Sequence, residues 1–277
     1  MSNKDIIMKK TLLGAGLVLG MVATAQAHPL WILPSHFTIS KAEGEWVTVD
    51  ATAAHATFAF DKPTSADPAH IIMPDGRSER PDALFKGKRR SVFDFFFVEE
   101  GTHKLVNSRT PFYMTTYLVG RRDSERRVPA NKAERELIVP EEAREVKTIK
   151  FEPRGESYVT VMAPNRTALE ATKKGFEMVP VTHPADIIEN EEVTFQYLYN
   201  GEPVEGLKVD VTREGTLYRA SQEAISVETN AKGEVTFTPA QAGRYIAAAS
   251  HTQVLENDPM ADAHRTMLNI TFEVQLD

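Results

Sequence analysis

The fold class follows from one stretch, Val193-Thr194-Phe195-Gln196-Tyr197-Leu198-Tyr199, which Asn200-Gly201 closes. Its large apolar residues alternate with smaller or polar ones, which is the period-two pattern of a half-buried strand. Asn-Gly is the commonest dipeptide of tight hairpin turns, since both residues tolerate positive φ. The stretch therefore predicts a strand that ends in a hairpin.

Similar patterns recur along the chain, separated by turn residues such as Pro74-Asp75-Gly76. Strands are predicted at 46–52, 92–98, 112–119, 157–162, 207–213, 234–238, 242–249 and 266–276. Short strands with this punctuation are typical of β-sandwiches. We therefore predict a mainly β protein with two Ig-like β-sandwich modules, at 28–174 and 175–277. The charge-rich part, 121–150, is predicted as a loop with short helices, one at 131–138.

The first 27 residues have the features of a cleavable signal peptide. Lys4, Lys9 and Lys10 precede an apolar stretch at 12–23, and Ala25-Gln26-Ala27 fits a signal-peptidase site. An uncleaved amino-terminal anchor is the alternative. The sequence thus predicts export to the periplasm and a mature chain that starts at His28.

Charge and composition narrow the possible partners. The formal net charge of −7 becomes about −9 when residues 1–27, with three lysines and one aspartate, are removed. Such a charge disfavours nucleic acid, which binds clustered Lys and Arg. The chain has no cysteine, so a metal site must use His, carboxylate, Met, or backbone or amino-terminal nitrogen.

His28 is the strongest candidate ligand. As the first residue of the mature chain it offers both its free α-amine and its imidazole Nδ1, which can chelate one ion. One further imidazole would complete a T-shaped site of three nitrogens, known as a histidine brace, which suits copper. Pro29 has no amide proton, so a site built on successive deprotonated amides is excluded.

Three other histidines are candidate partners. His55 follows the strand predicted at 46–52, and His251 follows the small-residue stretch Ala247-Ala248-Ala249-Ser250. His36 lies eight residues after His28, about 25 Å away if the chain is extended, so it needs a turn to share an ion. The predicted metal ligands are His28, His55, His251 and His36.

Four stretches together resemble a known family. They are 28–35 (HPLWILPS), 175–184 (GFEMVPVTHP), 199–209 (YNGEPVEGLKV) and 243–251 (GRYIAAASH). They resemble an uncharacterised bacterial periplasmic family (domain-of-unknown-function 4198) related to the nickel-uptake substrate-specific component (NikM-like). The resemblance implies β-sandwich modules, transition-metal uptake and ligands at His28 and His251. It also implies an association with TonB-dependent outer-membrane receptors or an inner-membrane transporter.

Three functions are compatible with the sequence. The leading hypothesis is a non-enzymatic periplasmic protein that acquires or delivers nickel, cobalt or copper. The second is a metal-free β-sandwich interaction module of the cell envelope. The third is an oxidative copper enzyme that uses the brace and would need a flat aromatic surface, for which only Trp31 and Trp46 are available as tryptophans.

Overall fold

A computed structural model describes residues 29–54 and 57–277. Over these residues the chain is mainly β, as predicted. The strands are β1 (Leu30–Pro34), β2 (Thr38–Ile39), β3 (Glu45–Ala53), β4 (Lys62–Pro63), β5 (His70–Ile72), β6 (Ser78–Glu79), β7 (Ala83–Lys86), β8 (Ser91–Phe97), β9 (Gly101–Ser108), β10 (Phe112–Val119), β11 (Ser124–Val128), β12 (Arg144–Val161), β13 (Phe176–Pro180), β14 (Val193–Tyr199), β15 (Glu202–Pro203), β16 (Lys208–Arg213), β17 (Ile225–Glu228), β18 (Glu234–Phe237), β19 (Gly243–Val254) and β20 (Ala263–Val274). The helices are α1 (Lys132–Arg135) and three 3₁₀ turns, Thr167–Leu169, Pro184–Asp186 and Thr216–Tyr218.

One large sheet forms the centre of the molecule. Its main path runs β17-β16-β19-β20-β12-β9-β5-β6, so strands from both predicted modules share it. A small sheet, β1-β3-β8-β7, belongs to the amino-terminal half, and another, β13-β14-β15 with β18, belongs to the carboxy-terminal half. Strands β12 and β20 run parallel at the middle of the large sheet.

The two faces of the large sheet bury different cores. Successive side chains of a strand point to opposite faces. Val159 and Val161 of β12 therefore join the amino-terminal core, together with Val49 of β3 and Phe93 of β8. Tyr158, which directly precedes Val159 in the sequence, joins the carboxy-terminal core. These cores are the two sandwich interiors that the alternating patterns predicted.

The carboxy-terminal sandwich contains a tyrosine corner. Gly243 has φ 134°, which favours glycine, and it opens β19 next to Arg244 and Tyr245. The Tyr245 hydroxyl donates to the Gln241 carbonyl at 2.7 Å. This bond fixes the start of β19, and with it the strand that carries His251.

The charged segment at 121–150 is more ordered than predicted. It contains β11 and the first seven residues of β12, both of which pair with β10. The predicted helix at 131–138 is only Lys132–Arg135, which starts with a capping box between Asn131 and Glu134. The loop prediction was wrong because charged side chains that point to solvent do not prevent the backbone of a strand from pairing with β10.

Residues 1–27, which the sequence predicts to be a signal peptide, lie outside the described residues. Among the residues described, no helix is long and apolar enough to cross a membrane.

Candidate functional site

The start of β1 and the end of β3 lie side by side. β1 pairs antiparallel with β3, with Leu30 opposite Ala53. One residue further out, the Ala54 amide donates to the Pro29 carbonyl at 3.2 Å. We call Pro29 and Ala54 the paired end. His28 and His55 lie outside the described residues, but they are the next residues along the chain from Pro29 and Ala54.

The large sheet holds β1 firmly in place. The Asn269 side chain donates to the Leu30 carbonyl at 2.8 Å, and the Thr271 hydroxyl donates to the Ile32 carbonyl at 2.7 Å. A Cβ at Gly155 would be 2.8 Å from Leu30 Cδ2 and 3.2 Å from the Ile32 nitrogen, so the glycine allows β1 to lie this close. The backbone that leads to the paired end is therefore fixed by buried contacts.

An open groove of about 980 Å³ lies beside the segment that begins at Thr57. Phe58 and Phe60 pack on the buried Trp31, with ring centroids 5.6 and 5.3 Å away. The Thr216 hydroxyl donates to the Thr57 carbonyl at 2.9 Å, which ties the opposite wall to this segment. Trp31 is thus part of the interior and offers no flat surface to a polymer substrate.

His36 lies at the other end of β1. The strand continues without a turn to Pro34, which pairs with Val49. The five extended residues of β1 span about 13 Å and separate His36 from the paired end. The His36 ring is exposed, and its Nδ1 lies 3.1 Å from the Ser35 hydroxyl. The structure does not bring His36 towards the start of β1.

His251 lies on the other face of the large sheet. It pairs with Thr266 and shares a face with Leu268 of the carboxy-terminal core, whereas β1 packs on the face of Asn269 and Thr271. The half-buried imidazole stacks on Tyr199, with ring centroids 4.4 Å apart. Burial, and secondly the charge of His264, lower the pKa of His251.

His264 has a carboxylate partner that the sequence did not indicate. It lies on β20, opposite Gln253. Its Nε2 is 2.8 Å from the Glu152 carboxylate, which lies on the neighbouring strand β12. No group of three His, Cys, Asp or Glu side chains within 29–54 and 57–277 lies close enough together to hold a metal ion.

Two further histidines are structural. His183 accepts a hydrogen bond at Nδ1 from the Ala185 amide, so its Nε2 carries the proton that points to the Asn165 carbonyl at 3.0 Å. His103 is fully buried and packs edge-on against Phe97. Burial lowers the pKa of His103 from 6.5 to about 4, so the ring is neutral at pH 7.

The fold and site describe a β-sandwich protein with a fixed amino-terminal strand. The chain belongs to the family described as a domain of unknown function (DUF4198), whose model matches residues 25–253. No curated protein matches the chain.

Solved structures that are similar to this chain include three multidomain β proteins, all at low similarity. The D0-D1 domain of intimin has 10% identity and a TM-score of 0.22, over 87% of this chain and 96% of that one. Chicken CNTN1 FN1-FN3 domains have 9% identity and a TM-score of 0.24, over 89% and 98%. The Yersinia pseudotuberculosis adhesin InvE has 10% identity and a TM-score of 0.21, over 88% and 58%. At these scores the fold assignment depends on the strands and sheets described above.

Proposed function

We propose that this protein is a non-enzymatic periplasmic metal-binding protein that acquires or delivers nickel, cobalt or copper. The ion would bind the α-amine and imidazole of His28 and the imidazole of His55. The protein would be exported through the signal peptide at 1–27. Its partner would be a TonB-dependent receptor or an inner-membrane transporter, which is what the sequence resemblance to a family related to the nickel-uptake component implies.

One observation supports this proposal more than any other. Pro29 and Ala54 are hydrogen-bonded at the end of the β1–β3 ladder. Peptide bonds join Pro29 to His28 and Ala54 to His55, so both histidines extend from one anchored pair of residues. Neutral nitrogen ligands suit copper and nickel.

The α-amine is an effective ligand only when it has lost its proton. Its ordinary pKa is about 8 and that of an imidazole is about 6.5. Metal binding must displace these protons, so affinity falls as the pH falls through the imidazole range. The anchoring of β1 by Asn269 and Thr271 would limit the conformational entropy lost on binding.

The decisive experiment is metal titration of protein that begins at His28, against protein with one additional residue before it. Copper, nickel, cobalt and zinc are each titrated by calorimetry. We expect one ion per chain and a loss of about 100-fold or more in affinity on extension. The extension blocks the α-amine, whereas the rest of the chain is unchanged.

The histidine variants locate the second ligand. His55→Ala should weaken binding by about 10- to 100-fold. His36→Ala and His251→Ala are matched controls and should leave the affinity within about twofold, because these residues lie at the far end of β1 and on the other face of the large sheet. If His251→Ala weakens binding as much as His55→Ala, the proposed ligand set is wrong. If neither amino-terminal form binds metal, the interaction-module hypothesis replaces this one.

A further inference from the structure

β7 is an edge strand that exposes large apolar side chains. It pairs only with β8 among the described strands, and all four of its residues are exposed. Phe85 is 68% exposed and Leu84 is 45% exposed. An exposed apolar edge of this kind is a template for pairing with another strand.

The turn that follows β7 shows which backbone groups are free. The Gly87 amide donates to the Arg90 carbonyl at 3.0 Å, which closes the hairpin to β8. Facing residues of an antiparallel ladder are alternately hydrogen-bonded and not. Counting back from Gly87, the backbone groups of Phe85 point to β8, and those of Leu84 and Lys86 point to the free edge.

We propose that β7 pairs antiparallel with β7 of a second copy of this chain, around a two-fold axis at Phe85. Residues that face each other across a sheet must point to the same side of it. With the axis at Phe85, Leu84 of each copy lies opposite Lys86 of the other. These residues carry the free edge groups, so the pairing forms four backbone hydrogen bonds and continues the sheet across both copies.

Side chains in this register are complementary. Phe85 faces Phe85 of the second copy at a non-hydrogen-bonded position, where Cα atoms are about 4.5 Å apart and aromatic side chains pack closely. A lysine on a short edge strand usually discourages pairing, but here Lys86 lies opposite Leu84 and meets no lysine directly.

Cross-linking tests the register. The chain has no cysteine, so Phe85→Cys creates a single thiol at the axis. The Cα separation expected there lies within the range of disulfides, about 4.4–6.8 Å. Glu228→Cys, on the exposed edge strand β17, is the matched control. Under mild oxidation we expect a disulfide-linked dimer of Phe85→Cys and a monomer of Glu228→Cys. Equal cross-linking of the two variants would overturn the proposal.

Sedimentation of the unmodified chain tests the association itself. Lys86→Pro removes one of the two free-edge amides without removing an amide that points to β8, and proline is tolerated on such an edge. Lys86→Ala keeps the amide. We expect dimers at about 100 µM, at least tenfold weaker association for Lys86→Pro, and no more than about threefold weakening for Lys86→Ala. Circular dichroism checks that Lys86→Pro is folded. A monomeric wild-type chain at about 500 µM, or equal effects of both variants, would refute the pairing.

Discussion

Removal of the His103 imidazole should flatten the acid side of the stability profile. The ring is fully buried on β9, and burial lowers its pKa to about 4, although the carboxylates of Glu99 and Glu79 act in the opposite direction. The unfolded chain binds a proton at this residue near pH 6.5, whereas the folded chain does not until about pH 4. Stability from this residue is therefore present above pH 6.5 and is lost as the pH falls towards 4.

The size of the loss follows from the shift. Each pKa unit corresponds to about 1.4 kcal/mol, so the limit is about 3 kcal/mol, most of which is lost between pH 7 and 4.5. The assay is urea unfolding of the wild type, His103→Leu and His103→Gln at half-unit steps over that range. Both variants already differ from the wild type in stability at pH 7, because the substitutions change the packing. The comparison therefore concerns the slope of the free energy of unfolding against pH. The carboxylates of the protein contribute equally to this slope in the wild type and in both variants. If the wild type and both variants lose the same free energy between pH 7 and 4.5, the buried neutral histidine is not the cause.

Three further substitutions test the contacts that position the strands. His183→Ala leaves the Asn165 carbonyl and the Ala185 amide without their partner, and should lower the free energy of unfolding by about 3 kcal/mol in urea titrations. Gly155→Ala places a methyl group against β1 and should cost about 1–3 kcal/mol; an unchanged midpoint would show that β1 is loosely packed. Tyr245→Phe removes the bond to the Gln241 carbonyl and should cost about 1 kcal/mol, measured as a small decrease in Tm.

The sequence predicted the strands whose burial differs between their two faces. The strand at 193–199 was located to the residue, because its aromatic residues alternate with side chains that face away from the core. The first half of β12 could not be located in this way. It runs from Arg144 through Pro153 with charged residues on both faces, and its order comes from pairing with β10 and β20. Such long-range pairing leaves no periodic pattern in the sequence.

In the candidate site, too, the sequence predicted individual residues but not the strand pairing that relates them. The sequence identified His28 by its position after a cleavage motif and His55 by its position after a strand, but it contained no register to relate them. That relation comes from the pairing of Leu30 with Ala53. The sequence also indicated that His36 needs a turn to approach His28, and β1 runs straight through Pro34. The placement of His251 on the other face of the large sheet depends on the pairing of β19 with β20, which no local pattern shows.

The two proposals concern opposite edges of one small sheet. In the order β1-β3-β8-β7, the paired end belongs to β1 at one edge and the proposed dimer contact belongs to β7 at the other. Pairing of two copies through β7 would make one sheet of ten strands, counting β4 of each copy, with β1 at both outer edges. Each copy would then keep its amino-terminal ligands free to meet a metal donor or acceptor, and a dimer would carry two equivalent ions. Loss of dimerisation in Lys86→Pro should therefore leave the number of ions per chain unchanged, and loss of metal binding on amino-terminal extension should leave the dimer intact.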